Sequence, residues 1–198
     1  MNIINCGGNC ILKLEPNVKS IESILLLITK VPLLDTKNVE EMSNMFNRCS
    51  ALTTIPLFDT KNVKDMSGMF VDCSALTTIP LLDTTNVEYM SSMFYGCSAL
   101  TTIPLLDIKN AKDMSAMFVN CSALKNLNLV NWTQDDIDLS YSSKLTPLSV
   151  HNLISQAVGT EIRQLTLHAD AWEAWAYSEY HDTDVDDAAT KNIEIIEA

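Results

Sequence analysis

Between residues 32 and 127 the apolar positions follow two alternating rhythms inside a unit of 24 residues. Four segments align without a gap: 32–55 (PLLDTKNVEEMSNMFNRCSALTTI), 56–79 (PLFDTKNVKDMSGMFVDCSALTTI), 80–103 (PLLDTTNVEYMSSMFYGCSALTTI) and 104–127 (PLLDIKNAKDMSAMFVNCSALKNL). In the first half of a unit Val63, Met66, Met69 and Phe70 fall on one face at helical spacing, which predicts a short helix. Asn62 stands where an N-cap belongs, with Asp65 three residues on as a capping-box partner. Asn38 with Glu41 and Asn110 with Asp113 repeat the pair, whereas Asn86 is followed at that offset by Tyr89. In the second half Leu76-Thr-Thr-Ile79-Pro-Leu81 reads L-x-x-L-x-L and predicts a short strand with Ile79 and Leu81 inward. No unit can bury its apolar positions alone, so stacked neighbours must supply the core, with strands side by side in a parallel sheet.

The pattern continues in altered form at both ends. Residues 17–25 match the helical half, and Leu12-Lys-Leu14 reads as an N-terminal capping strand. Beyond Leu127-Asn-Leu129, the triplets Ile137-Asp-Leu139, Leu165-Thr-Leu167 and Ile193-Glu-Ile195 recur at a spacing of 28. Helices are expected between them, over 146–158 and 169–189. The expected fold is α/β: a solenoid with one parallel sheet of about nine short strands and short helices on the opposite face. The strands are expected around residues 13, 32, 56, 80, 104, 128, 138, 166 and 194. At about 4.8 Å per rung such a sheet would run roughly 38 Å. The chain is expected to be a single domain over 1–198. It divides into a cap and degenerate repeat (1–31), four regular repeats (32–127), and irregular repeats with a cap (128–198). Pro32, Pro56, Pro80 and Pro104 fall inside the strand segments, where a central strand loses a donor. Discontinuous pairing with locally polyproline-like backbone is one arrangement that accommodates them.

Composition places the chain among ordered globular proteins: 47% of its 198 residues are apolar and 19% charged, with five Gly and six Pro. No apolar run approaches the length of a membrane span. The first eleven residues show no basic n-region or small-residue cleavage site, so no secretory leader is expected in this chain. The net charge is −12, and residues 169–198 hold nine acids against one Lys. Nucleic acid is therefore not an expected partner, because phosphate binding needs clustered Lys and Arg.

Several repeated residues invite a chemical reading. Cys49, Cys73, Cys97 and Cys121 recur at one place per unit. A metal or disulfide array is one reading; a ladder of small buried side chains is the other. Parallel side chains on adjacent coils suit the ladder and not the torsion of a disulfide. Cys6-Gly-Gly-Asn-Cys10 has one residue too many for a thioredoxin-type motif and too few ligands for structural zinc. The pairs Met42/Met45, Met66/Met69, Met90/Met93 and Met114/Met117 read as core filling beside Phe. Asp182-Thr-Asp184-Val-Asp186 mimics the start of a calcium loop but has Asp187 where Gly belongs and Ile193 where Glu belongs. Trp172 and Trp175 read as part of a capping helix. His151, His168 and His181 are the only imidazoles, and no catalytic motif accompanies them. No enzyme activity, metal or cofactor is expected.

The units LxxIPLxDTxNVxxMSxMFxxCSAL resemble the BspA-like leucine-rich repeats of bacterial surface proteins over about residues 28–127. The segments at Leu145-Thr-Pro-Leu-Ser-Val-His-Asn-Leu-Ile and Leu165-Thr-Leu-His-Ala resemble endings found after such repeats in proteins of gut bacteria and their phages. The resemblance implies a leucine-rich-repeat solenoid used for adhesion or display. It favours a phage-encoded or virion-associated, extracellularly exposed interaction protein; a bacterial cell-surface or secreted adhesin and a purely structural spacer or decoration protein are the alternatives. The implied partner is a protein or glycan on a host or cell surface, or another virion protein. The expected binding face is the outward side of the sheet: Thr54, Thr78 and Thr102, then Asn126 and Asn128, with Pro56, Pro80 and Pro104 in the next column.

Overall fold

The structure is a computed structural model that describes residues 2–4, 11–13, 28–133, 135–159 and 161–198. Cys6, Cys10, Leu14 and the degenerate helical half at 17–25 lie outside the described residues. In chain order the elements are β1 (Asn2–Ile4), β2 (Ile11–Lys13), β3 (Thr102–Asp107), β4 (Asn126–Val130), β5 (Ile137–Leu139), α1 (Pro147–Ser155), β6 (Arg163–Leu167), α2 (Ala169–Ala176), α3 (His181–Thr190) and β7 (Ile193–Glu197). The fold is mixed α/β, with mainly parallel strands and a few short helices. Among the described residues the expected single sheet of nine strands does not form. Strands β1 and β2 pair antiparallel, β3 and β4 form a second sheet, and β5-β6-β7 a third.

The first half of each unit is a run of turns and not the predicted helix. Its amide donors divide into two sets. Those of Met42, Asn44, Phe46 and Arg48 donate to the carbonyls of Asp65, Ser67, Met69 and Val71 in the next coil, at 2.7–2.9 Å. Those of Met45, Asn47 and Cys49 donate three residues back within the coil, at 2.9–3.2 Å. A helix would send every one of these donors back along its own chain. The same alternation joins Met66, Gly68, Phe70 and Asp72 to Tyr89, Ser91, Met93 and Tyr95. Tight turns of this kind repeat every three or four residues, so their apolar spacing is indistinguishable from that of a helix. They also require positive φ twice per unit, at Asn44 and Arg48, Gly68 and Asp72, Ser92 and Gly96, and Ala116 and Asn120.

The capping boxes are corrected with the helices. Asn62, Asn86 and Asn110 donate through Nδ2 to the carbonyls of Lys37, Lys61 and Thr85 in the preceding coil, at 2.7–2.8 Å. Asp65 and Asp113 accept from the amides of Ser67 and Ser115 two residues on. Thr36, Thr60 and Thr84, buried, donate to the carbonyls of Asp59, Asp83 and Asp107 in the following coil, each at 2.9 Å. The letters of the DTxN motif are thus mostly joints between coils.

In the second half of the units, proline decides the outcome. Around residues 32, 56 and 80 no strand forms; single bridges join Lys30 to Thr54 and Thr78 to Thr102. Regular pairing begins at β3 with β4, where Asn128 replaces proline. Even there Ile103 pairs with Leu127 and Leu106 with Leu129, so Pro104 and Leu105 together oppose Asn128 alone. Proline has no amide hydrogen to give the ladder, and the extra residue is absorbed as a bulge. The bulge shifts the inward phase by one residue. The buried pair in each unit is Ile55 with Phe58, Ile79 with Leu82, or Ile103 with Leu106; Leu81, expected inside, is exposed.

The core is a set of columns, one residue per coil. Val, two Met, Phe, Cys, Leu and Ile from each of the first three units are fully or almost fully buried, and in the fourth Ala111 and Leu127 stand for the Val and the Ile. Phe46, Phe70, Phe94 and Phe118 stack with ring centroids 5.6, 5.7 and 6.2 Å apart. Each such side chain contributes about 1.5–3 kcal/mol by leaving water.

At the C-terminal end, β5, β6 and β7 stand where the triplets predicted strands, but the register is uneven. Ile137 pairs with Leu165 at an offset of 28, whereas Leu165 pairs with Ile195 at 30. Helix α1 begins after Thr146, whose hydroxyl accepts from the Ser149 amide. The single helix expected over 169–189 is two, α2 and α3, broken at residues 177–180. Asp182, Asp184 and Asp186 lie within α3, a helix and not a calcium loop. Arg163 is buried with its guanidinium on the carbonyls of Trp132, Val158 and Lys191 and its Cζ 4.9 Å from the centre of the Trp132 ring, joining three segments of chain.

Candidate functional site

The predicted face is only partly available. Thr54, Thr78 and Asn126 are exposed, while Thr102, Asn128, Pro56, Pro80 and Pro104 are half-buried. Thr102 accepts from Asn126 Nδ2 at 3.4 Å, and Asn128 Oδ1 accepts from Asn152 on α1 at 3.4 Å. Helix α1 anchors itself beside β4 through Ser149, which accepts from the Leu127 amide and donates to the Lys125 carbonyl. The structure brings the Thr and Pro columns together across the coils, and it draws Asn128 into the contact with α1.

Beside these columns lies a feature the sequence reading missed. Leu33, Leu57, Leu81 and Leu105 are 75%, 61%, 58% and 48% exposed, one above another on successive coils. Leu105 is turned outward by the β3–β4 bulge, and Leu33, Leu57 and Leu81 hold the same place after the proline of their own units. The signal was the doublet itself: in PLLD or PLFD two adjacent apolar residues on extended backbone cannot both face the core. One of each pair had to face water. A shallow groove of about 510 Å³ runs along the ridge, lined by Leu57, Leu81, Leu105 and Val130 with Asp59, Asp83 and Asp107. Asp83 accepts from the hydroxyl and amide of Thr85, at 2.6 and 3.1 Å, which hold its carboxyl below the usual carboxylate range. A second groove of about 310 Å³ lies among Lys61, Asn62, Lys64, Asn86, Glu88, Asn110 and Lys112. There the asparagine amides are committed to the preceding coils, and Lys112 meets Glu88 at 2.6 Å.

The repeated cysteines sit inside. Cys73, Cys97 and Cys121 donate through Sγ to the carbonyls of Phe46, Phe70 and Phe94 at 3.1, 3.1 and 3.2 Å. Burial pushes Cys49 up to about 11 and Cys73 and Cys121 up to about 12, and Cys97 further still. A thiolate is the reactive and metal-binding form, so these four are packing groups. Among the described residues no group of three or more His, Cys, Asp or Glu is placed to hold a metal ion. The three histidines lie apart from the grooves. His151 Nδ1 is 2.7 Å from Asp184 Oδ1, and Trp175 Nε1 donates to Asp184 Oδ2 at 2.8 Å, which ties α1, α2 and α3 around one buried carboxylate. Trp175 is buried and meets Trp172 edge-on at 5.5 Å, as expected of a cap. No helix of the described residues is long and apolar enough to cross a membrane.

Comparison with known proteins bears on the fold. A search of the curated proteins returns no match. Among solved structures, the leucine-rich repeat protein of T. pallidum (TpLRR) is similar, with a TM-score of 0.59 and 14% identity, covering 91% of this chain and 81% of that one. The chain therefore shares a leucine-rich-repeat-like architecture with that protein. The family model DUF285, described as a Mycoplasma protein of unknown function, matches residues 19–135. Spanning more than half of the chain and all four regular repeats, that match shows that the chain belongs to the DUF285 family.

Proposed function

We propose that this chain is a non-enzymatic interaction module, a continuous leucine-rich-repeat solenoid of the BspA-like kind, that binds a partner protein along the ridge of Leu33, Leu57, Leu81 and Leu105. The observation that carries this reading is the exposure of those four leucines in one line. Large apolar side chains exposed singly are ordinary, whereas a contiguous apolar strip is the mark of a surface that another molecule covers. The strip favours protein over glycan, because sugars are held mainly by hydrogen-bonding groups and the ridge offers few. The Thr column beside it supplies a polar rim. The setting, a virion or a bacterial cell surface, rests on the resemblance of the repeats to surface and phage-associated proteins. A spacer or decoration role would leave the ridge without a partner.

The test is selection of a random peptide library on the immobilised protein, beside a glycan array. Peptides rich in apolar residues are expected, and their binding should be lost in a Leu57→Ser, Leu81→Ser, Leu105→Ser variant that keeps its circular dichroism spectrum. Glycan binding that persists in that variant, with no peptide depending on the ridge, would overturn the proposal.

A further inference from the structure

The groove along the ridge carries charge of one sign. Asp59, Asp83 and Asp107 line it, and no Lys or Arg does. In the earlier coils a lysine two residues on answers the carboxylate: Lys37 lies 3.3 Å from Asp35, and Lys61 3.8 Å from Asp59. The answer stops there. In the third unit the lysine position is Thr85, and in the fourth Lys109 offers Asp107 only its backbone amide, at 3.0 Å. Asp83 and Asp107 have no ion-pair partner among the described residues, though both are held in place: Asp83 by Thr85, and Asp107 also by Asn131 at 3.0 Å. Two oriented carboxylates thus flank an apolar strip and call for cations in whatever covers it.

Spacing selects the form of the partner. Successive leucines of the ridge are separated by one coil, about 4.8 Å, so Leu57 to Leu105 spans about 10 Å. On an α-helix residues i and i+7 are separated by about 10.5 Å, with an intervening residue at i+3 or i+4. On an extended strand three successive same-face residues span about 13 Å and drift out of step with the leucines. The rung spacing matches the turns of a helix lying along the coil axis.

Resting on the ridge as the binding surface, we propose that its partner is a basic amphipathic helix. The apolar stripe of that helix lies on Leu57, Leu81 and Leu105, and its Lys or Arg side chains reach Asp83 and Asp107. The flanking carboxylates set orientation and encounter rate, and the leucines supply most of the affinity.

Two stapled helical peptides test it, each with the same leucine stripe at i, i+3 and i+7, one flanked by Lys and the other by Glu. Binding to the full chain is read by fluorescence anisotropy at low and at physiological salt. The Lys peptide is expected to bind, and the Glu peptide to bind at least about tenfold more weakly. Asp83→Asn with Asp107→Asn should weaken the Lys peptide about fivefold or more at low salt, with a smaller change at physiological salt. Leu57→Ser with Leu81→Ser and Leu105→Ser should abolish binding. Equal binding of the two peptides, no effect of the Asp substitutions, tighter binding of an extended Leu-Lys peptide, or no binding of the Lys peptide overturns the basic helix and leaves the ridge reading standing. Binding of the Lys peptide that survives loss of the three leucines overturns both.

Discussion

Gly68 lies so close to Asn44 of the preceding coil that a Cβ built on it would stand 2.6 Å from the Asn44 Oδ1. The same oxygen accepts from Asn47 Nδ2 at 3.0 Å, so it is not idle. Gly68 has φ +62°, and the equivalent residues Asn44, Ser92 and Ala116 hold φ 55° with a side chain present. Gly68→Ala should therefore cost about 1–2 kcal/mol, from left-handed backbone strain and displacement of Asn44. In the Asn44→Ala background part of that loss should return. The reverse change, Ala116→Gly, should be neutral or stabilising by up to about 1 kcal/mol. Urea unfolding of the four variants checks all three outcomes.

The register imposed by proline makes adjacent leucines unequal. Leu81→Ala should change stability by about 0.5 kcal/mol or less, since an exposed side chain gives up little. Leu82→Ala, one residue on and buried, should cost about 2–4 kcal/mol. Equal losses at the two positions would place both side chains inside and refute the outward setting of Leu81.

The threonine joints differ in what they leave behind. Thr60 donates to the Asp83 carbonyl, whereas Thr84 donates to the Asp107 carbonyl and also accepts from the Asp107 amide at 2.8 Å. Thr60→Val should cost about 1 kcal/mol, and Thr84→Val about 2–3 kcal/mol because an amide loses its acceptor as well. Chemical denaturation of the pair resolves the difference.

The cysteine ladder predicts a pH dependence. In the folded chain burial raises Cys73 and Cys121 from about 9 to about 12, so the fold favours the neutral thiol. An unfolded thiol ionises first, near pH 9. The contribution of these groups is therefore fully present below about pH 9 and falls as pH rises from there toward about 12. The urea midpoint of the native chain should drop over that window, with a shallower drop in Cys73→Ala. Native chain at pH 8 should resist alkylation at the four ladder thiols, and denatured chain should not.

The buried carboxylate of the cap is a single point of failure. Asp184→Ala leaves the ring nitrogens of His151 and Trp175 without their acceptor and should cost about 2–4 kcal/mol. Because α1, α2 and α3 meet there, tryptophan fluorescence should report loosening of the cap before the repeats unfold.

What the amino-acid pattern disclosed, and what it hid, follows from geometry. The columns of Phe, Met and Cys were legible because one residue type recurs at one place, and stacking alone explains such identity. The helical half was misread because Met66, Met69 and Phe70 keep the same spacing on a helix and on a run of tight turns. Only the positive φ at Gly68 and Asp72 separates the two, and non-glycine residues at those places in the other units masked it. The strand expected near Pro80 does not form, and Leu81, expected inward, faces water, since the extra residue seen at the β3–β4 bulge is one that no periodicity announces. The ridge was lost by the same error. At the C-terminal end the triplets located β5, β6 and β7, yet the extra two residues in the step from β6 to β7 lie in the register and not in the motif.

In the first three regular units about half of the amides in each run of turns are given to the following coil, and the second, third and fourth units receive them on equivalent carbonyls. The joints are therefore interchangeable. Whole units of 24 residues can be inserted or excised between existing ones with the seams chemically unchanged, whereas gain or loss of a single residue would set every donor beyond it against the wrong carbonyl. Length is thus the property this architecture can vary most freely, and the reach of the ridge would lengthen or shorten with it, one leucine at a time.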